Sequence, residues 1–137
     1  MQKVKLGVVF GGMSTENKVS VSSAKSVLHK LDENKYEIYP IFISEGGKWY
    51  KVLNIEEIDN SKEEIKNVFE YLEKMEVIFP VLHGLYGEDG TIQGLFKLLN
   101  KRFVGCGVLS SSVGMDKAYS KIIFEKARIK SNTIWIY

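Results

Sequence analysis

The stretch VKLGVVFGGMSTEN, residues 4–17, decides the fold: a nearly unbroken apolar run rich in β-branched residues stops at two glycines, and a polar turn follows. An apolar run without alternation is the signature of a strand buried on both faces, as in a parallel sheet. Beyond the turn, Val19, Ala24, Val27, Leu28 and Leu31 recur at three- and four-residue intervals, which predicts a helix over residues 18–31 with one apolar face turned inward. Ser14, Thr15 and Asn17 are candidate caps for that helix, and Glu16 falls in its first turn, where the helix dipole favours a carboxylate.

The same rhythm continues along the chain. YEIYPIFIS (36–44) predicts a second strand, with Pro40 pointing to an edge or a bulge, and EGGKWYKV a glycine turn and a short strand. Residues 54–76, dominated by Glu, Lys and Asn, predict an exposed helix and its approach loop. VIFPVL (77–82) is another buried strand, TIQGLFKLLN (91–100) a strongly apolar-faced helix, and RFVGCG (102–107) a short strand entering a further turn. One or two helices follow, and NTIWIY begins a last strand. Alternating strands and helices predict an α/β fold: a Rossmann-like, mostly parallel sheet flanked by helices, with right-handed crossovers.

Composition narrows the function classes. The 137 residues are enough for one ordinary domain; 45% are hydrophobic and 26% charged, the range of globular proteins. Nineteen Lys and Arg against 17 Asp and Glu give a net charge of +2 without a basic block, so nothing calls for nucleic acid. No apolar run approaches the roughly 20 residues that cross a bilayer, and the N-terminus lacks the form of a signal peptide, so a cytoplasmic protein is expected. The single Cys106 has no internal disulfide partner and is expected as a small apolar core residue.

In an open parallel sheet, ligands bind beyond the carboxyl ends of the strands, where turns and helix N-termini expose backbone N–H groups. Three polar loops are expected there. FGGMSTENKVS (10–20) carries Glu16 and lacks the G-x-G-x-x-G spacing of a dinucleotide site. HGLYGEDG (83–90) carries His83 directly after a buried strand, with Glu88 beyond it and Asp89 placed to cap the next helix. If Glu16 and His83 come from adjacent strands, a carboxylate and an imidazole share one cleft, suited to the ammonium and carboxylate of an amino acid. SSSVGMDKAYSK (110–121) places Lys117 and Lys121 on one helical face, where solvated lysines or a phosphate contact are the alternatives.

Taken together and in order, VVFGGMSTENKVSVSSAKSV, FPVLHGLYGEDGTIQGLFKLL and FVGCGVLSSSVGMDK resemble the N-terminal part of the D-alanine-D-alanine ligases, a family of the ATP-grasp superfamily that includes D-alanine-D-serine and D-alanine-D-lactate ligases. The resemblance implies a three-domain enzyme of which this chain supplies the Rossmann-like substrate domain (1–112) and the start of the central ATP-grasp domain (113–137). It further implies that ATP, with Mg2+ held mainly by the absent domains, phosphorylates the carboxylate of a first D-alanine, whose acyl phosphate is attacked by a second. Glu16 would hold the ammonium of the first D-alanine, His83 would orient that substrate, Val19 would line its subsite, and Lys117 would reach an ATP phosphate. The fragment alone is expected to be inactive, and a homodimer follows from the family. Lys18 stands where the family usually carries an acid, and is expected to disturb ion pairs near Glu16. The rival readings are a stand-alone Rossmann-type module for an anion or nucleotide, and an interaction role for an isolated domain.

Overall fold

The computed structural model describes residues 2–132. The chain runs β1 (Val4–Gly11), α1 (Asn17–Leu28), β2 (Tyr36–Ile43), β3 (Trp49–Val52), a 3-10 turn (Ile55–Glu57), α2 (Ile58–Ser61), β4 (Lys62–Glu64), α3 (Val68–Glu73), β5 (Val77–Leu82), α4 (Thr91–Leu98), β6 (Arg102–Phe103), α5 (Val108–Met115) and α6 (Lys117–Lys126). The strands form one six-stranded sheet in the order β4-β3-β2-β1-β5-β6. β2, β1, β5 and β6 run parallel, and β3 and β4 extend the sheet antiparallel.

The central place of β1 follows from its apolar run: every residue from Leu6 to Gly11 is buried. Its alternate side chains feed two cores on opposite faces. Val8 and Phe10 join Leu6, Ala24, Val52 and Val81 under α1, while Val9 joins Ile41, Leu72, Ile78 and Phe96 beneath α3 and α4. Two covered faces explain why β1 and β5 read as continuous hydrophobic runs.

Three expectations change, and a fourth falls outside the described residues. β2 is flanked on both sides, so Pro40 does not mark an outer strand; it pairs in register with Val8, and the ladder to β3 begins one residue later, at Ile41. Residues 54–76 hold the strand β4 as well as helices; KEE is too polar to read as a strand, yet charged residues are what an edge strand tolerates. Cys106 is exposed, because it follows the two-residue β6 in a turn between Gly105 and Gly107 instead of entering the sheet. The last strand expected from NTIWIY falls almost wholly on residues 133–137, outside the described residues.

Candidate substrate site at the carboxyl ends of β1 and β5

β1 and β5 are neighbours in register, Phe10 beside Val81 and Gly11 beside Leu82, so the loops that leave them start side by side. Gly11 has φ +89, and a Cβ there would lie 2.2 Å from the Ile43 carbonyl oxygen; only glycine makes this turn. Asn17 does not cap α1. It is the first helical residue, and its Nδ2 donates back to the carbonyls of Gly12 (2.6 Å) and Ile43 (3.1 Å), which locks the loop to β2. The N-cap position belongs to Glu16, whose side chain makes no capping bond, while Ser14 Oγ accepts the Glu16 N–H at 3.0 Å. The Glu16 carboxylate is therefore free of a structural duty within its own helix.

The second loop comes to meet it. Ser14 Oγ donates to the His83 carbonyl at 2.8 Å, tying the loop after β1 to the residue that follows β5. Gly84 has φ +69, and a Cβ on it would lie 3.0 Å from Glu16 Oε1 and 3.3 Å from Ser14 Oγ. The Glu16 carboxylate thus rests against the His83–Gly84 backbone, and the expected pairing of the two loops is realised. His83 itself is half-buried, and its Nε2 lies 3.0 Å from Ser23 Oγ of α1. Val19 is 54% exposed on the first turn of the same helix. Lys18 is exposed and, among the described residues, forms no ion pair with Glu16 or any other acid.

The rest of HGLYGEDG is scaffolding. Glu88 Oε2 accepts the Gly84 N–H at 2.7 Å, and Asp89 accepts the N–H groups of Tyr86 and Thr91, each at 2.9 Å. Partial burial opposes the charge of Asp89, and those backbone donors outweigh it, so its carboxyl is held below the ordinary 3.8. The formal N-cap of α4 is Gly90, so Asp89 serves from one position earlier than expected. Gln93 reaches back from α4 to the Gly87 carbonyl at 2.8 Å, and Ser112 of α5 donates to the Asp89 carbonyl at 2.8 Å. A cavity of about 140 Å³ lies behind the loop, lined by Met13, Ile43, Trp49, Leu82, His83 and Ile92 among others.

Lys117 is not part of this cluster. It is exposed and opens α6, where Asp116 caps the helix by accepting from Ala118 and Tyr119. Lys121, four residues on, turns to the Asn132 carbonyl. Sequence reasoning missed Ser20 and Ser23, which look like ordinary polar positions in an amphipathic helix. Ser20, fully buried, accepts the Gly11 N–H at 2.7 Å and donates to the Val81 carbonyl at 2.5 Å, joining the ends of β1 and β5. Their only signal is a seven-residue spacing from Glu16 to Ser23 through Ser20, which puts all three on one helical face.

Residues 5–106 match the family model described as the D-ala D-ala ligase N-terminus. The chain belongs to the D-alanine-D-alanine ligase family. It is 47% identical over 139 residues to the D-alanine-D-alanine ligase B of Clostridium tetani, covering 95% of this chain and 39% of that protein. Among solved structures it is similar to the VanG D-Ala:D-Ser ligase of Enterococcus faecalis (TM-score 0.83, 36% identity, 93% of this chain and 43% of that one). It is also similar to a Bacillus anthracis D-alanine-D-alanine ligase complexed with ATP (TM-score 0.69, 35% identity, 91% and 36%). The chain spans about two fifths of the length of the curated ligases it matches, and the family's N-terminal domain accounts for the sheet and both loops.

Proposed function

We propose that this chain is the substrate-cleft portion of an ATP-dependent D-alanine-D-alanine ligase, and that Glu16 and His83 hold the first D-alanine. The observation that carries the reading is the contact of the Glu16 carboxylate with the turn at His83–Gly84, at the carboxyl ends of two adjacent parallel strands. A carboxylate with no ion-pair partner among the described residues is suited to an ammonium, and the His83 imidazole, held by Ser23 on the same helix, to a carboxylate. Val19, on the outer face of the first turn, would supply apolar contact to the substrate's methyl group. These residues position the amino acid, and positioning of a carboxylate before phosphoryl transfer accounts for a large share of the rate.

Residues 1–112 are the substrate domain in this proposal, and 113–137 open the ATP-binding portion, with Lys117 as the phosphate contact. ATP supplies the phosphoryl group that activates the substrate carboxylate. In this reading magnesium is held mainly by the other domains of the ligase, and the chain alone is expected to be inactive. A cytoplasmic location, a role in peptidoglycan synthesis and a homodimer belong to the same proposal. The likeness to VanG keeps D-serine beside D-alanine as the second amino acid.

The test is steady-state kinetics of the full-length parent enzyme with Glu16→Gln and His83→Ala. Each change removes one charge-assisted contact of about 1.5–3 kcal/mol, so kcat/KM for the first D-alanine should fall by roughly 10- to 100-fold, with KM raised and kcat lowered. Unchanged kinetics in both variants would sink the assignment. Product analysis with D-alanine, D-serine and D-lactate offered together identifies the second substrate.

A further inference from the structure

The contact between Ser23 and His83 fixes more than the direction of the ring. Glu16, Ser20 and Ser23 share one face of α1, and each has a different partner: the His83–Gly84 turn, the ends of β1 and β5, and the His83 imidazole. Among the described residues the Ser23 hydroxyl has a single hydrogen-bond partner, His83 Nε2 at 3.0 Å; it does not turn back to its own helix, as Ser26 does toward the Ser22 carbonyl. The Ser23 proton therefore has one acceptor on offer. His83 Nδ1 has no hydrogen-bond partner among the described residues, which leaves that atom for a ligand.

A neutral imidazole carries one proton, and the bond made by one nitrogen decides which of the two holds it. We infer that Ser23 is a positioning residue: it donates to His83 Nε2, places the ring proton on Nδ1, and makes Nδ1 the donor presented to the carboxylate of the bound amino acid. The inference rests on the proposed D-alanine site for the identity of that carboxylate. It gives the site a polarity that matches a zwitterion, with Glu16 as acceptor for the ammonium and Nδ1–H as donor to the acid. The opposite tautomer would point a bare lone pair at the substrate carboxylate and repel it.

Nitrogen-15 imidazole spectra of this chain at alkaline pH, where the neutral ring is observed, read the tautomer directly, and His83→Gln separates the signals of His83 from those of His29. The expected result is a protonated Nδ1 and a bare Nε2 in the wild type, the reverse of what a free histidine side chain favours. Ser23→Ala should return the ring toward Nε2–H, and Ser23→Thr, which keeps the hydroxyl, should restore Nδ1–H. An Nε2–H ring in the wild type overturns the inference, as does an unchanged ring in a folded Ser23→Ala chain. If Ser23→Ala fails to fold, the wild-type and Ser23→Thr spectra decide. The measurement contains no ligand, so failure of D-alanine to bind, tested separately by titration, bears on the proposed substrate and leaves the tautomer result standing.

Discussion

Gly84 shows how a single missing Cβ shapes the site. Its φ of +69 costs an L-residue about 1–2 kcal/mol, and the added methyl would press on Glu16 Oε1 and Ser14 Oγ. Gly84→Ala should therefore lower stability by about that amount in denaturant unfolding and also weaken binding of the first D-alanine, because the Glu16 carboxylate is the group displaced. Asp89 makes a pH-dependent counterpart. Its carboxyl is lowered from 3.8 in the folded chain, so its contribution to stability is present above that value and disappears as pH falls through the lower folded value. Asp89→Asn should be less stable than wild type at neutral pH, with the gap closing in acid; a gap independent of pH would mean that the charge is not what matters. At this scale the sequence pointed to the two loops that the structure brings together. Glu16 stands out because an acid follows a glycine turn after a buried strand, and His83 because an imidazole comes directly after one, ahead of its glycine. Ser20 and Ser23 do not, because a buried hydroxyl and a solvent-facing one look alike until the sheet behind them is known.

The helix α1 is an element held by polar bonds as much as by its apolar face. Ser20 links Gly11 and Val81 from a fully buried position, so Ser20→Ala, which strips a buried backbone N–H of its acceptor, should cost about 2 kcal/mol in denaturant unfolding. A loss within a few tenths of a kcal/mol would show that the helix packs without that link. β1, β5, α1 and α4 were legible because two-sided burial and a single apolar stripe leave strong periodic marks. β4 and the four-residue α2 were not, since a short edge strand and one helical turn make too few buried contacts to impose a pattern on KEE or IDNS. Asp116, which caps α6, separates two helices that the sequence left as one or two.

Across the whole molecule, the switch from β1 outward to β2 on one side and β5 on the other places the two candidate loops at the point where the strand order diverges, the usual ligand position of an open α/β sheet. Phe96 is fully buried in the core beneath α4, whose N-terminus ends the His83 loop, so Phe96→Ala should cost about 3–5 kcal/mol and broaden the His83 signals along with the general loss of stability. The order of strands was not legible: parallel neighbours need not be adjacent in sequence, and only the glycine loops hinted which carboxyl ends would meet.

Both prolines lie beside the central strand, Pro40 opposite Val8 and Pro80 opposite Val9. The outer ladder on β2 starts only at Ile41, and the ladder to β6 ends at Ile78, so each proline stands where its strand has an open flank. An uncovered flank with a full set of N–H groups is a template on which a foreign strand can grow. Two rings in place of two donors interrupt that template on either side of β1. Pro40, which reads as a fault in a strand pattern, and Pro80 each withhold a donor there, and Pro80→Val, which restores one beside the cleft, should aggregate faster on heating than the wild-type chain.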